Sequence, residues 1–203
     1  MLKKFFLIGI FLAVICYASA GYANAGKADE QLKGSIDKII DILKDPAFKA
    51  PGAKTERRNK IFKAVEERFD FSEMAKRSAG EFWNKLSDAE QKQFEVRFAN
   101  LLENAYINKV EKYTDEKVNF SPGKPKGEKH YVVRTEIISS GRSIPIEYSL
   151  YDSRGQWLVY DVNIEGVSLV TNYRSQFREI LRKDGFKGLM SILDEKLKGF
   201  TEY

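Results

Sequence analysis

The chain has 203 residues, 13% of them aromatic, with one cysteine, one histidine and a formal net charge of +5. One cysteine cannot close a disulfide framework, and one histidine with one cysteine falls short of the usual zinc ligand sets. The basic excess is mild and is not a nucleic-acid signature; it is compatible with brief contact with anionic membrane surfaces.

Lys3 and Lys4 precede an apolar run from Phe5 to Tyr17, interrupted only by Gly9. Two small-residue sites follow, Ala18-Ser19-Ala20 and Ala23-Asn24-Ala25. This order is that of a cleavable secretory leader, and the run is shorter than the roughly 20 residues a bilayer-spanning helix needs. Cleavage is expected after Ala25, which makes 1–25 the leader and 26–203 a single domain of 178 residues carrying +3. Cys16 goes with the leader, and the bulky Ile15 before it disfavours lipid attachment there.

Leu32, Ile36, Ile39, Ile40 and Leu43 recur at helical spacing until Asp45-Pro46. After a loop over 47–54, a second helix carries Ile61, Phe62, Val65 and Phe69; a short third one has Ser72 as its expected cap and ends near Gly80. Ser87-Asp88-Ala89-Glu90 is a capping box. It opens a helix to about Tyr113 whose stripe is Phe94, Phe98, Leu101, Leu102, Ala105 and Tyr106. Ser121 to Lys129, rich in Pro, Gly and Lys, reads as an exposed turn. Three strands are expected next: one with Tyr131, Val133, Thr135 and Ile137 on one face, one with Ile144, Ile146, Tyr148 and Leu150, and one over Gln156 to Ile164. Pro145 suggests an edge position or a bulge for the second. Past Gly166, Val170, Tyr173, Phe177, Ile180 and Leu181 form a helical stripe capped by Gly185. A last helix holds Phe186, Leu189, Met190, Leu193 and Leu197. Helices, an antiparallel strand meander, then helices make an α+β fold, with helices packed on a curved sheet.

Catalytic signatures are absent from the sequence. His130, beside the Lys-rich turn, has no evident partner, and there is neither a nucleophile elbow nor a phosphate-cradling glycine loop. Asp161 sits among apolar strand residues and needs a partner, for which Arg174 is the candidate. Periodicity alone does not separate a filled aromatic core from a cavity lined by the same residues.

Three stretches carry a resemblance. They are Phe69-Asp70-Phe71-Ser72-Glu73-Met74-Ala75 with Gly80 and Trp83; Gln91 to Tyr113; and Trp157-Leu158-Val159-Tyr160-Asp161-Val162-Asn163-Ile164-Glu165-Gly166-Val167-Ser168-Leu169-Val170, running on through Asn172-Tyr173-Arg174-Ser175-Gln176-Phe177. Together they resemble the MlaC-like family, also called toluene-tolerance or ABC-transporter auxiliary proteins, over almost the whole mature chain. The resemblance implies a periplasmic phospholipid carrier without enzymatic activity, cofactor or metal, the lipid itself being cargo. It implies an inner-membrane ABC transporter complex and an outer-membrane lipoprotein complex as partners, service to outer-membrane lipid asymmetry, and an α+β fold enclosing an apolar lipid pocket. A carrier that diffuses between membranes is most simply a monomer.

Face assignment then nominates the pocket lining. The helices would supply Trp83, Phe94, Phe98, Leu101, Leu102, Tyr173 and Phe177. The strands would supply Val133, Ile137, Ile146, Tyr148, Leu150, Tyr160 and Val162. Two other readings stay open: a ligand-free adaptor whose apolar stripes are only core, and a cone-shaped α+β enzyme using Asp161 with Tyr160 or Tyr148.

Overall fold

A computed structural model describes residues 26–50, 52–112, 116–139 and 141–201. The predicted leader, Cys16 included, lies outside them. Helix α1 covers 26–44, and Asp45 accepts a hydrogen bond from the Ala47 amide to open a 3-10 turn, Pro46–Lys49. Helix α2 is Lys54–Glu66. It stops short of Phe69, which instead bridges Val159 as a single extended residue. Helix α3, Phe71–Ala79, is capped by Asp70 rather than Ser72: the Asp70 carboxylate accepts from the Glu73 amide, while the Ser72 hydroxyl reaches Glu95. A 3-10 turn over Gly80–Lys85 leads to α4, Asp88–Val110, which begins at the expected capping box on Ser87 and Glu90.

The sheet has five antiparallel strands in the order β1 (Lys117–Pro125), β2 (His130–Ser139), β3 (Arg142–Ser153), β4 (Gln156–Ile164), β5 (Val167–Ser168). The Pro/Gly/Lys-rich stretch is therefore mostly strand. Its first half pairs with β2, and only Lys126 to Lys129 turns. An edge strand tolerates proline because its outer N–H groups need no ladder partner. Strand β3 is central, and Pro145 marks the end of its ladder with β4, which starts at Ile146↔Ile164. Register shifts between Ser121 and Lys124 and between Ser149 and Leu150 bend the sheet. Arg154 and Gly155, and then Glu165 and Gly166, take positive φ in the turns flanking β4, the conformation two-residue hairpins require. The far edge is occupied at both ends, by the Phe69 bridge to Val159 and by β5.

Helix α5 runs Leu169–Thr201 with a break at Gly185, whose φ of 66° restarts the helix at once. Helices α3, α4 and α5 bury a cluster that includes Phe94, Phe98, Leu101, Phe177, Leu189 and Leu193. Phe98 stands edge-on to Tyr173 at 5.3 Å and to Phe177 at 5.8 Å, and stacks on Phe94 at 5.7 Å. A second cluster forms where Ala28 and Leu32 of α1 lie on Tyr131, Val133, Leu150, Trp157 and Val159. Gly123 is required there: a Cβ on it would stand 2.3 Å from the Tyr131 ring and 2.7 Å from the Asp29 carboxylate.

Candidate functional site

Between these two clusters lies space that side chains do not fill. A cavity of about 200 Å³ separates α2 from α4 and from one face of the sheet, and it is open along one side. Helix α2 contributes Ile61, Phe62 and Val65, its apolar stripe, while Lys60, Lys63 and Glu67 face a separate polar groove. Helix α4 contributes Leu102, Glu103, Tyr106, Ile107 and Val110, one face of the helix. The sheet contributes two cross-strand pairs, Ile146 with Ile164 and Tyr148 with Val162. Phe69, Phe71, Met74 and Leu169 close the ends.

Side chains more than backbone hold α2 over this space. Glu111, 9% exposed at the end of α4, accepts from Arg57 through Oε1 and from Arg58 through Oε2, both at 2.7 Å. Arg58 also donates to Asn108 Oδ1 at 2.6 Å. Burial pushes the Glu111 carboxyl up, but the hydrogen bonds and charges of Arg58 and Arg57 outweigh it and hold the group below the usual carboxylate range.

Polar atoms in the wall are few. Burial raises the phenols of Tyr106 and Tyr148, which stay protonated at neutral pH. Burial also raises the Glu103 carboxyl, as does the Glu66 charge nearby, against an opposing pull from Arg58. Such a wall can hold hydrocarbon, and it offers no nucleophile with an adjacent base.

Of the nominated residues, the structure brings Leu102, Ile146, Tyr148 and Val162 into the cavity wall. Trp83, Phe94, Phe98, Leu101, Tyr173 and Phe177 lie in the cluster of α3, α4 and α5; Val133, Leu150 and Ile137 lie in the cluster under α1. Tyr160 is the extra residue at the β4 bulge, with the Arg77 guanidinium 4.0 Å above its ring and His130 edge-on at 5.6 Å. His130 is half-buried. The expected pair of Asp161 with Arg174 does not form. Asp161 accepts from the Ser168 hydroxyl at 2.6 Å and the Val170 amide at 3.1 Å, satisfying the start of α5. Arg174 instead donates to the Arg77 carbonyl at 2.7 Å, lying against Gly80. Asp161 is thus bonded at both oxygens and is not among the residues of the cavity wall.

The α2 residues, Phe69, Phe71, Met74, Ile107, Val110, Ile164 and Leu169 were not nominated from the sequence. An apolar stripe facing a void is written like one facing a core. Glu103 did leave a signal: a carboxylate beside Leu102, one turn from Tyr106 and Ile107, interrupts the α4 stripe.

A family model described as MlaC protein matches residues 33–195. The chain is 24% identical over 121 residues to the "Intermembrane phospholipid transport system binding protein MlaC" of Haemophilus influenzae, a match over 57% of this chain and 56% of that one. It is 23% identical over 118 residues to the "Toluene tolerance protein ttg2D" of Pseudomonas putida, over 58% of this chain and 53% of that one. The chain thus spans about half the length of these curated relatives. A solved structure of the phospholipid-binding protein from Ralstonia solanacearum, in complex with a phospholipid, superposes with a TM-score of 0.76 at 26% identity, covering 86% of this chain and 98% of that one.

Proposed function

The chain belongs to the MlaC family, and from that premise we propose that it is a periplasmic carrier which hides the acyl chains of a phospholipid in the cavity between α2, α4 and the sheet. The lipid would pass between an inner-membrane ABC transporter complex and an outer-membrane lipoprotein complex. The observation that carries the reading is the cavity itself: a built, almost wholly apolar space in the body of the fold, lined by residues such as Phe62, Leu102, Ile146 and Val162.

Burying a methylene stabilises by about 0.8 kcal/mol, so two acyl chains of roughly fifteen methylenes each resist leaving a bilayer for water by about 25 kcal/mol. A carrier meets this by replacing water with apolar side chains, and needs no covalent step. The wall matches that demand. Its phenols and its one carboxylate are the only polar side chains among the residues that line it. The same cavity weighs against a ligand-free adaptor, for which an open apolar space would be a cost without a use.

Native mass spectrometry of the mature protein, purified from the periplasm without detergent, tests the reading. The expected result is a stoichiometric adduct of phospholipid mass. A clean apo mass that stays unchanged after incubation with liposomes would overturn it.

A further inference from the structure

The cavity wall is hydrocarbon or phenol everywhere except at Glu103. Two features make this carboxylate unusual. It is half-buried in an otherwise uncharged wall, and no cation lies within ion-pair distance of it among the described residues. The charged groups that face it are on α2. Glu66 repels it; Arg58 attracts it, but the Arg58 guanidinium is already engaged by Glu111 at 2.7 Å and by Asn108 at 2.6 Å. In the empty protein Glu103 is therefore a partly dehydrated carboxylate facing a second one, an arrangement that costs free energy until a cation arrives. The raised position of its pKa has the same origin, burial first and Glu66 second.

With its tails in the cavity, a lipid would leave its head group where the wall opens, and Glu103 is the one charged residue of that wall. We propose that Glu103 selects the cargo, favouring zwitterionic phospholipids whose head group carries an ammonium over net-negative ones whose head group ends in an uncharged polyol. This rests on the carrier reading above. The ammonium meets Glu103, with Glu66 adding to the negative field. The lipid phosphate finds its own counter-charge further along the same helix, where Lys109 folds back over the Tyr106 ring with Nζ 5.1 Å from the centroid. A zwitterionic head group is thus matched at both ends, whereas a polyol head group leaves the two carboxylates without a cation and adds net negative charge beside them. Glu103 acts on specificity rather than on grip, because the tails supply the affinity through burial.

Lipid-stripped mature protein is incubated with vesicles of equimolar phosphatidylethanolamine and phosphatidylglycerol with identical acyl chains; the bound lipid is then extracted and the two head groups are counted. The wild type is expected to hold them at roughly five to one, the selectivity of one part-exposed ion pair. Glu103→Gln keeps the shape of the side chain and is expected to hold the two lipids at a ratio near the donor's. Glu103→Lys is expected to invert the preference. A wild type that loads at the donor ratio, or a Glu103→Gln protein that keeps the wild-type preference, overturns the proposal while leaving the carrier reading intact. A wild type that takes up neither lipid overturns both.

Discussion

Replacing Ile146 with Asp separates the cavity from the core. Ile146 is 9% exposed in the middle of β3, with Ile164 beside it across the ladder and the cavity in front. Losing the side chain forfeits about 2 kcal/mol of apolar burial. The open side of the cavity lets water reach the new carboxylate, so the empty protein remains folded. Loading is different, because an acyl chain must displace that water and cover the charge. Dehydrating a carboxylate without a partner costs several kcal/mol even after relaxation; at about 4 kcal/mol, lipid affinity falls by roughly a thousandfold. The companion variant is Phe98→Ala, which removes a fully buried ring touching Phe94, Tyr173 and Phe177 away from the cavity. It is expected to lose about 3 to 5 kcal/mol of stability, a drop in Tm of roughly 10 °C for a domain of this size, while its residual folded fraction still carries lipid. Native mass spectrometry reads cargo, and circular dichroism melting reads stability. A folded Ile146→Asp protein with undiminished lipid, or a folded Phe98→Ala protein without any, would refute this division of labour.

Glu111→Gln should loosen α2, since it weakens charge-assisted bonds to both Arg57 and Arg58 that are each worth about 1.5 to 3 kcal/mol; exchange of a fluorescent lipid with vesicles should speed up severalfold, and an unchanged rate would mean that α2 does not gate the cavity. Because the folded-state pKa of Glu111 lies below its unfolded value, its contribution is present above the ordinary carboxylate pKa of about 4.3 and is lost as pH falls through the folded value. The stability gap between wild type and Glu111→Gln in urea titrations should therefore be constant from neutral pH to about pH 5 and close at lower pH. Glu103 carries the opposite sign: its raised pKa makes ionisation oppose folding, so Glu103→Gln should be slightly more stable than wild type at pH 7 and lose that advantage on acidification. Gly123→Ala should cost about 1 to 3 kcal/mol, because Tyr131 and Asp29 must move to admit the methyl group; a melting temperature equal to wild type would show that α1 is free to shift off the sheet.

Much of the fold was legible where a local signal carries its own physics. The Ser87–Glu90 capping box starts α4 where the residue types demand it. Gln156 to Ile164, bounded by two turn pairs, is β4 to the residue. Composition misled at β1, because proline, glycine and lysine mark a loop and an outermost strand alike. Asp161 was assigned a charged partner when backbone and hydroxyl donors at the start of α5 were enough. The site was less legible than the fold. Phe98 and Leu102 belong to one α4 stripe, yet one meets the rings of α5 and the other meets a void. That distinction depends on how far α2 stands off, which is set by Arg57, Arg58 and Glu111, residues with more than fifty positions between the two helices.

The margins of the sheet bear on how such a protein survives crowding. A row of unpaired backbone groups at a sheet edge is a template on which another chain can add a strand. Here β1 meets solvent with Lys117, Pro122, Lys124 and Pro125 and a bulge after Ser121. The opposite margin is closed off by the Phe69 bridge and by β5. Both borders are therefore poor templates for a visiting strand, which disfavours aggregation through shared sheets between folded copies and unfolded chains.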